Sequence, residues 1–337
     1  MSSTNPINIF YEEPEADRWF KYDRYPRKII RKIIRGKQRP GGVMMVALEL
    51  MHGLDKLKIP YRFNDYKYAK KHPNELIGVI GKPHLIFEKK FKNPILFGAG
   101  VFSHPIDCPD LFKLYPNVKK MLVPGPWMQV MCEPYYHDKV QAWPVGIDSE
   151  KWSDKIKGDE LSVDFLIYDK IRWENNKYQD DLLEPLVKEL KEKNLSYHYI
   201  KYGSYQPSDL MNELRVCKAV IFLCTHESQG IAYQQVLSTN TPILAWDRGG
   251  YWQDPSYFPD KVKFEPVSSV PYWDERCGIK FKGNTDFPLA LDNFISKLNH
   301  KEFKPRNFIL ENLTLEICAQ KYMTIYNDIA NENSSNS

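Results

Sequence analysis

Between the apolar runs "AVIFLC" and "TPILAW" the chain reads "THESQGIAYQQVLSTN", which sets Glu227, Gln229, Gly230 and Gln235 between two strand-like segments. A strand that turns at a glycine into a helix leaves backbone N–H groups unsatisfied and aims the positive end of a helix dipole at whatever lies beyond the turn. Phosphate suits such a place. An acid in the same turn is a poor neighbour for phosphate unless it accepts hydrogen bonds from something else, such as sugar hydroxyls, or simply complements the helix dipole. Gln235 follows Glu227 by eight residues, about two helical turns, which predicts that both reach one ligand.

These groups need a scaffold, and the rest of the chain supplies one. Short apolar runs recur: "INIFY", "LIGVI", "PILFGAGV" and "KKMLVP", then "VDFLIY", "YHYIKYG", "AVIFLC" and "TPILAW". They read as strands buried on both faces. Between several of them lie stretches of helical period, such as "QDDLLEPLVKELKEKN" and "SDLMNELRVCK", and strands alternating with helices imply βαβ units and parallel sheets. The series runs twice, on either side of "WPVGIDSEKWSDKIKGDE", and a hinge is expected near residues 146 to 160. A chain of 337 residues exceeds the usual limit of one hydrophobic core, which also argues for two domains. Ligands of open α/β sheets bind outside the carboxyl ends of the strands. The last amphipathic stretch, "TLEICAQKYMTIYNDIA", reads as a terminal helix capped by Thr314.

The "ESQGIAYQQ" turn resembles the signature of the retaining family 4 glycosyltransferases, the glycosyltransferase group 1 set. The resemblance implies an α/β GT-B fold, two facing Rossmann-like domains with a cleft between them. It implies an acceptor-side domain over 1–146, a nucleotide-sugar domain over 147–311, a helix over 312–332 that crosses back, and a disordered tail over 333–337. By the same resemblance Glu227 holds sugar hydroxyls, and Gln229, Gly230, Ile231 and Gln235 bind the donor. Gln235 stands where the family has glutamate, keeping the acceptor oxygen but losing the charge. In "KIRWENNK", Arg172 and Lys177 have the family's spacing for the basic pair that neutralises the departing diphosphate. "WPVGID" resembles the family's interdomain "PNGID", with Val145 in place of asparagine. Gly41 and Gly42 in "RPGGVMMVALELMHGL" match the glycine loop near the diphosphate, and His104 in "GAGVFSHPID" matches a histidine beside the transferred sugar.

The implied activity is transfer of a sugar from a UDP- or GDP-linked donor to a glycan or lipid-linked hydroxyl, with retention and without a metal or other cofactor. Domain closure across the hinge would then exclude water. The rival expectations are a nucleotide-sugar epimerase, a non-catalytic sugar-nucleotide or glycan-binding module, and a basic surface-binding protein. The last arises from "RYPRKIIRKIIRGKQRP", where Ile29, Ile30, Ile33 and Ile34 recur at helical spacing among basic residues, so residues 24–39 are a candidate for peripheral contact with an anionic membrane. The net charge of +4 is small for this length, and no nucleic-acid partner is expected. The six cysteines form no CxxC pair, which favours free thiols in a reducing compartment. With no leader pattern at the N-terminus and no span-length apolar run, the expected place is the cytoplasm, peripherally at the inner membrane face.

Overall fold

A computed structural model describes residues 5–13, 23, 26, 41–100 and 102–335. Apart from residue 26, the basic stretch 24–39 lies outside the described residues, and so does its expected membrane contact.

The chain divides into two compact units. The first comprises residues 1–124, 129–145 and 318–337. Its sheet consists of β1 (Ile7–Phe10), β2 (Tyr61–Phe63), β3 (Ile77–Val79), β4 (Ile95–Phe97), β5 (Val118–Val123) and β6 (Val140–Ala142). The strand order is β2-β1-β3-β4-β5-β6, and every pairing is parallel. Ile9, Phe10, Ile77, Val79, Leu96 and Phe97 are fully buried, as strands covered on both faces require. The terminal helix Leu315–Ser335 starts where expected, with the Thr314 hydroxyl accepting from the Ile317 N–H at 3.2 Å. It packs so closely on β3 that a Cβ at Gly78 would lie 2.1 Å from the Tyr322 hydroxyl.

The second unit comprises residues 125–128 and 146–317. Its sheet is built from β7 (Val163–Asp169), β8 (Tyr197–Lys201), β9 (Cys217–Leu223), β10 (Ile243–Trp246) and β11 (Gly278–Phe281), in the order β11-β10-β9-β7-β8 and again all parallel. The helix Glu184–Glu192 buries Leu186 and Leu190 on a core that includes Ile167, Ile221, Leu244 and Phe294. One such leucine cut to alanine costs about 2–5 kcal/mol.

Two expectations are corrected at this level. β8 is not buried on both faces: it is an edge strand, and Tyr199 is exposed on it. The strands β2, β6 and β11 are not legible in the sequence, because their short segments YRF, VQA and GIKF mix polar with apolar residues and no apolar run marks them.

In both sheets the first strand lies between the second and the third, so the chain order reverses next to β1 and next to β7. Sheets of this kind bind ligands outside the carboxyl ends of the strands at that reversal.

Candidate functional site

The reversal in the second unit lies between β7 and β9, which run in register with Asp169 opposite Leu223. The residues that follow these two strands include Arg172, Glu227, Gln229 and Gly230, so the candidate site is built from them.

Asp169 fixes the first loop. Its carboxylate accepts from the Ile171 N–H at 2.9 Å and from the Tyr199 hydroxyl at 2.6 Å. The Lys170 N–H donates to the Leu223 carbonyl at 2.7 Å. Lys170 is thereby turned inward, where its buried ammonium pairs with the Glu227 Oε1. Burial works most strongly on the ammonium and against it, yet the charge and hydrogen bond of Glu227 together with Cys224 outweigh it and leave the Lys170 pKa raised above its ordinary value. Lys170 also sits over the Tyr202 ring, 4.6 Å from its centroid. Arg172, two residues on, is exposed, with its guanidinium 5.7 Å from the same ring centre.

The second loop holds Glu227 from both sides of its backbone. Its N–H donates to the Ser268 carbonyl at 2.9 Å, and its carbonyl accepts from the Trp127 indole N–H at 2.7 Å. Oε1 also accepts from the Cys224 thiol at 3.7 Å, whereas Oε2 has no hydrogen-bond partner among the described residues. One carboxylate oxygen is thus engaged by the protein and the other is not, among the described residues. His226 stacks on Trp173 with ring centres 5.3 Å apart and meets the Trp127 ring edge-on. Burial first, then the charges of Arg172, Arg248 and Lys170, push its pKa down to about 3, so the ring is neutral at physiological pH.

Gly230 carries the turn into the helix Ile231–Ser238 with φ +86°, and a Cβ there would lie 2.1 Å from a Tyr233 ring carbon. Only glycine fits. Ile231 begins the helix and is half-buried. The Gln229 amide, buried, donates to the Gln234 Oε1 at 3.1 Å, and Gln234 returns a bond of 3.1 Å to the Gln229 carbonyl.

Several predicted residues sit differently from expectation. Glu227 lies in the loop before the helix, so the two-turn spacing to Gln235 is not helical geometry; the left-handed residue Gly230 intervenes. Gln234 rather than Gln235 faces the loop, and the half-buried Gln235 has no hydrogen-bond partner among the described residues. Lys177 sits in the short helix Asn175–Tyr178, exposed, with Glu174 at 3.9 Å and the Tyr178 ring at 5.8 Å, whereas Arg172 lies by the Tyr202 ring. Lys170 and Gln234 were missed. The signal in the sequence is a lysine directly after β7, two residues before Arg172.

The remaining predicted residues belong to the first unit. Gly41 precedes the helix Gly42–Lys56 in ordinary extended conformation, and a Cβ on Gly42 would meet nothing within 4 Å. Among the described residues nothing demands glycine at either position. Their helix start lies at the carboxyl ends of β3 and β4, since Cβ atoms on Gly81 and Gly100 would come 2.9 and 3.1 Å from Val43. His104 follows β4 in a loop and is buried. Its Nδ1 accepts from the Ile106 N–H at 3.0 Å, which leaves the proton of the neutral ring on Nε2. Burial lowers its pKa, with Asp107 opposing.

Among the described residues no cluster of three or more His, Cys, Asp and Glu side chains is arranged for a metal ion, and no helix is long and apolar enough to cross a membrane.

No family model matches the chain, and no curated protein matches it either. Solved structures do. TarM is 14% identical over 84% of this chain and 58% of its own, with a TM-score of 0.52. Accessory secretory protein 1, 2 and 3 of Streptococcus pneumoniae is 12% identical over 87% of this chain and 58% of its own, with a TM-score of 0.50. WaaG, a glycosyltransferase involved in lipopolysaccharide biosynthesis, is 10% identical over 86% of this chain and 97% of its own, with a TM-score of 0.45. The chain thus spans 58% of the length of TarM and of the streptococcal protein. At such identities the likeness is one of fold: two parallel-sheet, Rossmann-like domains of the GT-B type.

Proposed function

We propose that the protein is a glycosyltransferase that moves a sugar from a nucleotide-sugar donor, UDP- or GDP-linked, to a hydroxyl of a glycan or lipid-linked acceptor. The observation that carries this reading is Glu227, a buried carboxylate at the reversal of the second sheet, with one oxygen on Lys170 and the other without a partner among the described residues. A buried charge kept half-open at that point is suited to accept hydrogen bonds from sugar hydroxyls. The left-handed turn at Gly230 starts a helix beside it, where N–H groups favour phosphate.

In the transfer, the bond from the anomeric carbon to the phosphate oxygen breaks and its electron pair leaves with the diphosphate. The acceptor oxygen bonds to the same carbon and its proton passes to the departing diphosphate. Arg172 supplies positive charge to the leaving group, and retention at the anomeric carbon follows the family resemblance. The donor is the only small molecule the reading requires, with no metal or further cofactor. Gln235 on the ribose, Gly41 and Gly42 near the diphosphate, His104 near the sugar, and action at the cytoplasmic membrane face are parts of the same proposal.

A panel of nucleotide sugars, incubated with the protein and candidate acceptors and read by nucleoside diphosphate release, tests it. Release by the wild type and loss of at least about two orders of magnitude in Glu227→Gln support transfer, the range seen when one electrostatic contact to a transition state is removed. Conversion of the donor into a different sugar nucleotide points instead to an epimerase, and donor binding without turnover to a binding module.

A further inference from the structure

Several cations near the carboxyl end of the second sheet are paired with acids. Lys170 is paired with Glu227, Lys177 with Glu174, Lys201 with Asp169, and Lys280 with Asp247. Arg172 and Arg248 have no carboxylate partner among the described residues; Arg172 touches the Tyr202 ring, and Arg248 spends one donor, Nη2, on the Tyr251 carbonyl at 2.6 Å. The Arg248 Nε is buried without an acceptor. Since a guanidinium carries five N–H donors, most of Arg248 is uncommitted.

The strand ends that precede these two residues lie at one level. Asp169 is the register partner of Leu223, and Leu223 of Trp246. Arg172 and Arg248 leave the ends of β7 and β10 on either side of the β9 loop that carries His226. Both charges bear on that neutral ring. Two guanidinium charges that bear on one ring with no carboxylate partner among the described residues favour an anion at that place.

We propose that Arg172 and Arg248, rather than Arg172 and Lys177, form the cationic pair that receives the donor's diphosphate, an inference that rests on the nucleotide-sugar reading above. Two uncompensated positive charges match the two negative charges of a sugar-linked diphosphate. The charge of Lys170 is already committed to Glu227, and Lys177 is exposed beside Glu174 on its own turn. A forked donor also grips two phosphate oxygens where a lysine offers a point charge. The pair therefore selects a diphosphate-linked donor over a monophosphate-linked one.

Calorimetric titration of the full chain with UDP, GDP, UMP, GMP and inorganic pyrophosphate tests this, using Arg248→Gln and Lys177→Gln beside the wild type. The expected result is that Arg248→Gln weakens the preferred diphosphate by at least about tenfold and removes most of the preference over the monophosphate. Lys177→Gln should stay within about twofold, well under the tenfold that 1.4 kcal/mol represents. The reverse pattern overturns the proposal. Pyrophosphate binding that Arg248→Gln weakens, with no nucleotide bound, keeps the pair and removes the nucleotide-sugar reading. No binding of nucleotide or pyrophosphate by the wild type overturns both. Should Arg248→Gln fail to fold, Arg248→Lys replaces it, keeping the charge without the fork; unchanged binding in that variant, with loss in Lys177→Gln, overturns the pair.

Discussion

Lys170 and Glu227 show how one residue decides whether another can work. A buried carboxylate without its cation is costly, about 3–5 kcal/mol when one partner of such a pair is removed. Lys170→Met is expected to lower stability by about that much in chemical denaturation, and adding Glu227→Gln should restore most of it while transfer activity stays lost. Full stability loss in both single and double variants would remove the pair from the account. His226 sets the pH behaviour. Its folded pKa of about 3 lies below the ordinary histidine value, so the unfolded chain binds more protons between the two, and stability falls as pH drops from the ordinary value toward the folded one. His226→Gln should therefore flatten the stability curve below about pH 6 by up to about 1.4 kcal/mol per pH unit; an unchanged slope in acid denaturation would refute it. Glu227 was legible in the sequence because its turn has a pattern. Lys170 was not, because what matters is that the backbone bond to Leu223 turns it inward, and no sequence period records that.

At the scale of elements, the turn at Gly230 is the part most tightly determined. The left-handed conformation costs a non-glycine residue roughly 1–2 kcal/mol. Here the added Cβ would also meet Tyr233 at 2.1 Å. Tyr233 cannot give way: its hydroxyl donates to the Tyr272 carbonyl at 3.0 Å and accepts from the Tyr272 N–H at 3.0 Å. Gly230→Ala should thus destabilise by at least about 2 kcal/mol, seen as a lower denaturation midpoint, and should weaken diphosphate binding by disturbing the helix start. A variant with wild-type stability would show that the turn relaxes. The glycine was readable as a turn from its place between strand and helix. Which glutamine faces the loop was not, since a shift of one residue at the helix start moves every side chain by about 100°, and only the Gln229–Gln234 bonds settle it.

On the scale of the whole molecule, the two units were visible as a strand series that runs twice, but the path of the last helix was not a matter of period. The helix Leu315–Ser335 is continuous, yet the division between the units falls within it, at 317/318. Its later part completes the first unit. The Trp143 indole donates to the Cys318 carbonyl at 2.9 Å, Tyr322 packs on Trp143 with ring centres 5.1 Å apart, and the Tyr326 hydroxyl donates to the Leu76 carbonyl. Removing several large buried side chains at about 3–5 kcal/mol each exceeds the 5–15 kcal/mol that a domain typically holds in reserve. The second unit, with the proposed donor site, ends at Ile317 and has its own core. A chain ended after Ile317 is therefore expected to lose amide protection in β1, β3, β4 and β5 while β7, β9 and β10 keep theirs in hydrogen exchange. Such a chain should still bind a diphosphate and no longer transfer sugar. Collapse of protection in both sheets would mean that the second unit depends on the first for its fold, and retained protection in both that the helix only decorates the first.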